Sequence, residues 1–364
     1  MRNAGVRVLL ILLAGGVGLW AQESEPEVEP QQDQTIQVDV NVVNVPVTVT
    51  DNEGRFIIDL KKEDFEVREN GEPVEIRYFT KTTPEEEEAG TVPPLRVGFL
   101  VDLSNTARLY YKQYKESIGD LAFLLVPEGG DNKGFLMGYH TTVDLLVDTT
   151  SEPIELAERM EKLKHGGGSA MLDAVYGACG EKLVSDPYQG AGEPRKMVVV
   201  VGDGHDNASK RTLDEVIHAC QHSQVTVYAV STVAYGFHEP QEENLVRMVE
   251  ATGGRISRPL QEIHKDTIAY LSKPQDAGNY ALTVGTGQYA RVQLEALYKA
   301  ILAISGNVQS QYILGYVPPT PLTGSSFRRV EVKVKLAAPV EMHYRPGSYP
   351  PQMSPGQGNE AKSN

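Results

Sequence analysis

The sequence predicts a doubly wound, mostly parallel α/β sheet with a small accessory β module built from the N- and C-terminal segments. Two patterns lead there. Between Pro94 and Ala251, apolar runs of strand length alternate with amphipathic runs of helical length, as in a parallel sheet covered by helices on both faces. Toward both ends of the chain, valine instead alternates with polar residues at the two-residue period of a half-buried strand. With 364 residues, 40% of them hydrophobic, the chain can fill the core of one large domain and a smaller one.

Residues 1–21 read as an export signal: Arg2 and Arg7, the apolar run Val8 to Trp20, then Ala21 ahead of Gln22. These thirteen apolar residues fall short of the roughly 20 that span a bilayer. The expectation is a cleaved signal, a periplasmic or extracellular protein, and no membrane span after cleavage. An uncleaved anchor is the alternative, because Leu19 is bulky for its place before the cut. Residues 22–35 are acidic and proline-bearing and are expected to be a disordered tether.

The N-terminal β module covers residues 36–82: an alternating strand from Ile36 to Thr50, a turn at Asp51 to Gly54, and strands around Phe65 to Arg68 and Val74 to Phe79. Residues 83–93, with four consecutive glutamates, read as a solvated acidic linker. Residues 94–316 are assigned to the α/β domain. Its strands are expected at Arg96 to Asp102, Gly134 to Tyr139, Val143 to Val147, Met197 to Val201 and Val225 to Val230. Its helices are expected near Tyr110 to Leu125, Pro153 to Leu163, Met171 to Val184, Leu213 to His222 and Asn244 to Ala251. A late irregular insertion follows, to about Gln288, then a helix and a strand, Gln311 to Tyr316. Residues 317–345 carry strands expected to complete the sheet of the N-terminal module, since neither half alone has enough strands to be stable. Residues 346–364 are expected to be a disordered tail.

Composition narrows the function. Lysine and arginine number 34 against 49 acidic residues, a formal charge of −15, and a phosphate backbone needs a basic face, so no nucleic acid partner is expected. The cysteines, Cys179 and Cys220, are too few for a disulfide framework or a cysteine-rich zinc site. Each lies on an apolar helical stripe and reads as a buried thiol, although export would permit a disulfide. Oligomeric state is left open.

The chemistry sits at the strand ends. In V-D-L-S-N-T, Asp102, Ser104 and Thr106 follow one apolar strand; in V-V-G-D-G-H-D, Asp203 follows another; between them, G-G-G-S-A carries Ser169. Hard oxygen donors select Mg²⁺, Mn²⁺ or Ca²⁺ over thiophilic metals. If the two strands are neighbours, the carboxylates converge where open sheets bind ligands. This order resembles the metal-ion-dependent adhesion site (MIDAS) of von Willebrand factor A domains, over about Pro94 to Pro259. The flanks D-N-E-G-R-F-I-I-D-L and Q-S-Q-Y-I-L-G-Y-V-P-P are similar to secreted VWFA-related proteins of acidobacterial type.

The resemblance implies that Asp102 holds the cation, partly through water, that Ser104, Thr106 and Ser169 are hydroxyl ligands, and that Asp203 acts mainly through water. An Asp or Glu of a partner protein would complete the shell. Three positions depart from the family pattern: Thr106 where serine is commoner, Ser169 where threonine is commoner, and Gly202 where threonine often precedes the aspartate. His165 and Gly166 to Gly168 resemble the oxyanion loop of lipases, but no G-x-S-x-G nucleophile accompanies them, and no G-x-G-x-x-G follows a strand. His205 beside Asp203 reads as a surface histidine. The expected function is cation-dependent protein binding by an exported adhesion or scaffold protein, not an enzyme. The alternatives are a metal-free structural scaffold with a degenerate site and, more remotely, a hydrolase.

Overall fold

The computed structural model describes residues 42–83, 86, 90–107, 111–184, 193–233, 239–261, 287–320 and 326–350. The expected signal and tether, most of the late insertion and the chain beyond 350 lie outside these residues.

The α/β half is built on a six-stranded sheet. Its members are β5 (Leu95–Asp102), β6 (Lys133–Tyr139), β7 (Val143–Thr150), β8 (Arg195–Gly202), β9 (Val225–Ser231) and β10 (Ile256–Ser257), in the order β10-β9-β8-β5-β6-β7. Four of the five pairings are parallel; β7 runs antiparallel to β6. The exception follows from chain length, because the three-residue turn His140 to Thr142 allows a hairpin but no crossover. β5 is buried along its whole length, flanked by β8 and β6.

Helices cover both faces. On one, Tyr114 and Ile118 of α1 (Tyr111–Leu125) and Leu156 of α2 (Pro153–Met160) pack on Val97, Phe99 and Val101. On the other, α3 (Met171–Gly177), α4 (Leu213–His222) and α5 (Glu242–Thr252) pack on Leu100, Val198 and Val200. α3 runs on into a π-turn, Ala178–Lys182, whose Cys179 is disulfide-bonded to Cys220 of α4. The reading of two buried thiols is thus corrected: both stripes face the same core, which brings the sulfurs together. Closing a loop with a sequence separation of 41 contributes about 4 kcal/mol in the chain-entropy account.

The accessory module is not one sheet but two, each of four strands, β13-β1-β11-β4 and β14-β12-β2-β3. They comprise β1 (Val43–Asp51), β2 (Phe65–Glu69), β3 (Glu72–Val74), β4 (Ile76–Lys81), β11 (Gln311–Tyr316), β12 (Arg328–Val334), β13 (Val340–Tyr344) and β14 (Gly347–Ser348). The single completed sheet expected from the sequence splits because each layer has one valine-rich face to bury. Val45, Val47, Tyr312 and Leu314 of the first layer meet Phe65, Val67, Val330 and Val332 of the second. The C-terminal strands nonetheless pair with N-terminal ones, β12 with β2 and β13 with β1.

Three details differ from expectation. β11, assigned by sequence to the α/β domain, lies between β1 and β4. Residues 74–79 divide between two strands in different sheets. The expected tail begins later than Pro346, since Gly347 and Ser348 pair with β12 and Tyr349 packs 4.3 Å from the ring of His218. Pro46 is tolerated within β1 because β13 joins only from Val47 onward, leaving that edge without a ladder at the proline.

The modules share α6 (Gly287–Gln309). Leu297, Ile301 and Ile304 belong to the α/β core, while Asn307 O accepts a hydrogen bond from Thr48 Oγ1 of β1 at 3.0 Å. Buried Arg345 adds a second tie, donating to Gln224 O and Asn44 O, both at 2.8 Å. Among the described residues no helix is long and apolar enough to cross a membrane.

Within the sandwich, Glu69 of β2 is ion-paired with Arg328 of β12 and accepts a 2.6 Å hydrogen bond from Tyr316 of β11. Arg328→Ala leaves that carboxylate buried without its cation, and is expected to cost about 3–5 kcal/mol of unfolding free energy, read from denaturant titration.

Candidate metal centre

Asp102 is the last residue of β5, and the parallel register Val101↔Val201 sets Asp203 just beyond β8 at the same edge. Each aspartate closes a small turn: Asp102 Oδ1 accepts from Ser104 N at 2.7 Å, and Asp203 Oδ1 from His205 N at 2.9 Å. The first turn lifts Ser104 Oγ to 2.9 Å from Thr106 Oγ1. Asp102, Ser104 and Ser169 are buried, Asp203 is half-buried and Thr106 is exposed.

Backbone bonds join the three segments. Gly166 N donates to Leu103 O at 2.8 Å and Asn105 N to Gly167 O at 3.3 Å, which ties the glycine loop to the β5 loop. Asn207 N and Ala208 N both donate to Ser169 O at 3.0 Å, which ties it to the β8 loop. The glycines are needed for this approach. Gly167 has φ +87°, and a Cβ there would overlap Thr141 Oγ1; one at Gly168 would stand 2.6 Å from Asn207 Oδ1. The stretch that resembles an oxyanion loop is therefore a packing element between two neighbouring loops.

Burial, above all, pushes the Asp102 carboxyl up to about 7 from 3.8; nearby Asp203 raises it further, against the hydrogen bonds from Ser104 and the weaker pull of His205. Ser169 Oγ is buried and has no hydrogen-bond partner among the described residues. A buried polar atom without a partner calls for a water or an ion. The desolvated carboxylate of Asp102, the nearby Asp203 and the hydroxyls carried by the adjoining loops form a donor set that suits a hard divalent cation. Among the described residues no three His, Cys, Asp or Glu side chains group to hold a metal, so any site here relies on hydroxyls.

The departure at Gly202 has a steric reason that the sequence did not disclose. Tyr139 Oη donates to Val201 O at 3.1 Å and fills the space a side chain at 202 would need; an added Cβ would also stand 3.3 Å from Asp102 Oδ2. Sequence reading also passed over Asp206 and Asn207, which look like ordinary turn residues. Only the close spacing of D-G-H-D-N to the aspartate could have drawn attention to them. His205 is partly exposed, its Nδ1 3.8 Å from Glu239.

Comparison with models of protein families and with curated proteins finds no match. Among solved structures, the conserved hypothetical protein BatB from Bacteroides thetaiotaomicron is similar over 49% of this chain and 98% of its own, at 14% identity and a TM-score of 0.36. The vWF domain of the type V pili tip protein Mfa5 from Porphyromonas gingivalis is similar over 50% and 52%, at 14% identity and 0.29. Proximal thread matrix protein 1 from the mussel byssus is similar over 49% and 48%, at 15% identity and 0.39. This chain spans about half the length of the last two. Each likeness covers about half of this chain; the six-stranded half itself is a mostly parallel α/β sheet with helices on both faces.

Two outcomes are expected. In chelator-treated protein the folded state holds the Asp102 proton to about pH 7 and the unfolded chain only to about 3.8, so this group's contribution to stability falls as pH rises between those values. The stability of Asp102→Asn relative to the parent should therefore grow from pH 4 to 7 and then level off in thermal melts. Gly202→Thr should cost about 1–3 kcal/mol through overpacking, and less in a Tyr139→Phe background, measured by denaturant titration.

Proposed function

We propose that this is an exported protein that binds an acidic side chain of a partner protein through a divalent cation, Mg²⁺ or else Mn²⁺ or Ca²⁺, held by Asp102, Ser104, Thr106, Ser169 and Asp203. The observation that carries this reading is the buried hydroxyl of Ser169, without a hydrogen-bond partner among the described residues, in a loop bonded to the one that follows the desolvated carboxylate of Asp102. Asp102 would be the main charged donor, with the hydroxyls of Ser104, Thr106 and Ser169 around it and Asp203 balancing charge from the neighbouring strand. A bound cation would supply a Lewis acid with room for one further oxygen, and a net charge of −15 makes such a bridge useful, because a bare acidic rim repels an acidic partner.

Export is supported by the basic and apolar start of the sequence and by the Cys179–Cys220 disulfide, a bond of oxidising compartments. The role proposed is adhesion or scaffolding. A second reading is favoured by the 2.9 Å bond between Ser104 and Thr106, which satisfies those hydroxyls without a metal: a structural scaffold with a degenerate site.

Calorimetric titration of the chelator-stripped protein with Mg²⁺ and with Mn²⁺ separates the two. The expected result is saturable heat in the parent and none in Asp102→Ala. Identical traces, or a silent parent, leave the metal-free scaffold.

A further inference from the structure

Two of the three segments that carry the proposed ligands, the glycine loop and the loop after β8, are joined by an extended set of hydrogen bonds. The peptide of Ser169 is gripped on both sides by the loop after β8: its N–H donates to Asn207 Oδ1 at 2.9 Å and its carbonyl accepts from Asn207 N and Ala208 N. Gly168 leaves the space that the Asn207 side chain occupies. Further along, Asp206 Oδ2 accepts from Leu172 N at 2.8 Å and Ser209 Oγ at 2.6 Å, and Ser209 Oγ in turn accepts from Asp173 N at 2.9 Å. The Asp173 carboxylate accepts from Lys210 N and Arg211 N. The helices that follow the two loops are joined again by the Cys179–Cys220 disulfide. Among the described residues, two backbone bonds join the β5 loop to the glycine loop.

We propose that Asn207 is a positioning residue of the cation site: its side-chain oxygen fixes the peptide of Ser169 to the Asp203 loop, so that a hydroxyl and a carboxylate from separate segments are held as one rigid pair. This rests on the cation reading above. Asn207 is itself no ligand; it acts through Ser169, whose hydroxyl can be aimed only while its own peptide is held. The side chain touches the peptide by its oxygen, so an aspartate at 207 retains the acceptor and an alanine does not. A residue this exposed adds little to global stability, and its removal should show at the site rather than in the melting temperature.

The test compares the parent, Asn207→Ala, Asn207→Asp and Asp102→Ala, all as full-length disulfide-bonded chains. Each is titrated calorimetrically with Mg²⁺ and with Mn²⁺, and amide hydrogen exchange at Gly168 and Ser169 is followed in the metal-free state. The expected result is at least a tenfold loss of affinity and faster exchange at Ser169 in Asn207→Ala. Asn207→Asp should stay within a few-fold of the parent, with chelator-treated melting temperatures alike in the parent and both Asn207 variants. A parent that binds, with Asn207→Ala binding equally well, overturns the positioning role and leaves the cation reading standing. Equal losses in the alanine and aspartate variants overturn it too, because the acceptor oxygen would not matter. A parent that takes up no heat overturns the cation reading and the positioning role with it.

Discussion

A carboxylate at the tip of a strand with neighbours on both sides and helices over both faces has lost the water that would normally keep it ionised. Asp102 is in that position because β5 is a central strand of its sheet, with an unbroken apolar run from Val97 to Val101. Desolvation is the largest influence on its charge state, and the second aspartate, one strand over, adds to the strain rather than relieving it. The turn amides, the nearby hydroxyls and the imidazole of His205 are arranged about this one group. The site is a consequence of where the sheet buries a central strand.

Around that carboxylate the loops approach each other as closely as backbones allow, and glycine marks each contact. Gly167 and Gly168 let one loop lie against Thr141 and Asn207, and Gly202 leaves its space to the Tyr139 hydroxyl. The space a side chain at 202 would need is here filled from the next-but-one strand, β6. A space at one strand tip is thereby filled by a side chain from another.

Much of this was legible in the sequence because its signals are local. Uninterrupted apolar runs marked β5, β8 and β9, the helical stripe from Leu213 to His222 is α4 to the residue, and strand ends placed Asp102 and Asp203 on one edge once the sheet was taken as parallel. What escaped was whatever depends on a partner far along the chain. Gln311–Tyr316 reads as a strand in isolation, but its sheet is decided by the valines of β1. The helical period gives the burial of Cys179 and of Cys220, whereas their pairing is a fact of how two helices cross the same face. Asp206 and Asn207 carry the look of a solvent turn, and their bonds to Ser169 and Leu172 appear only when the loops are brought together.

The sandwich also sets the order in which the molecule can be made. Glu69 and Arg328 are 259 residues apart, and at about 5–20 residues per second a ribosome takes tens of seconds to produce the second after the first. For most of that interval, until β11 is made, the valine-rich β1 has neither of its neighbours and is an open edge, while the α/β half has every strand of its own sheet between residues 95 and 257 and can close first. Nascent chains of this protein therefore depend on something to shield their leading strand until the last eighth of the polypeptide arrives, and a stalled or prematurely ended product would aggregate through that strand even with a well-folded α/β half.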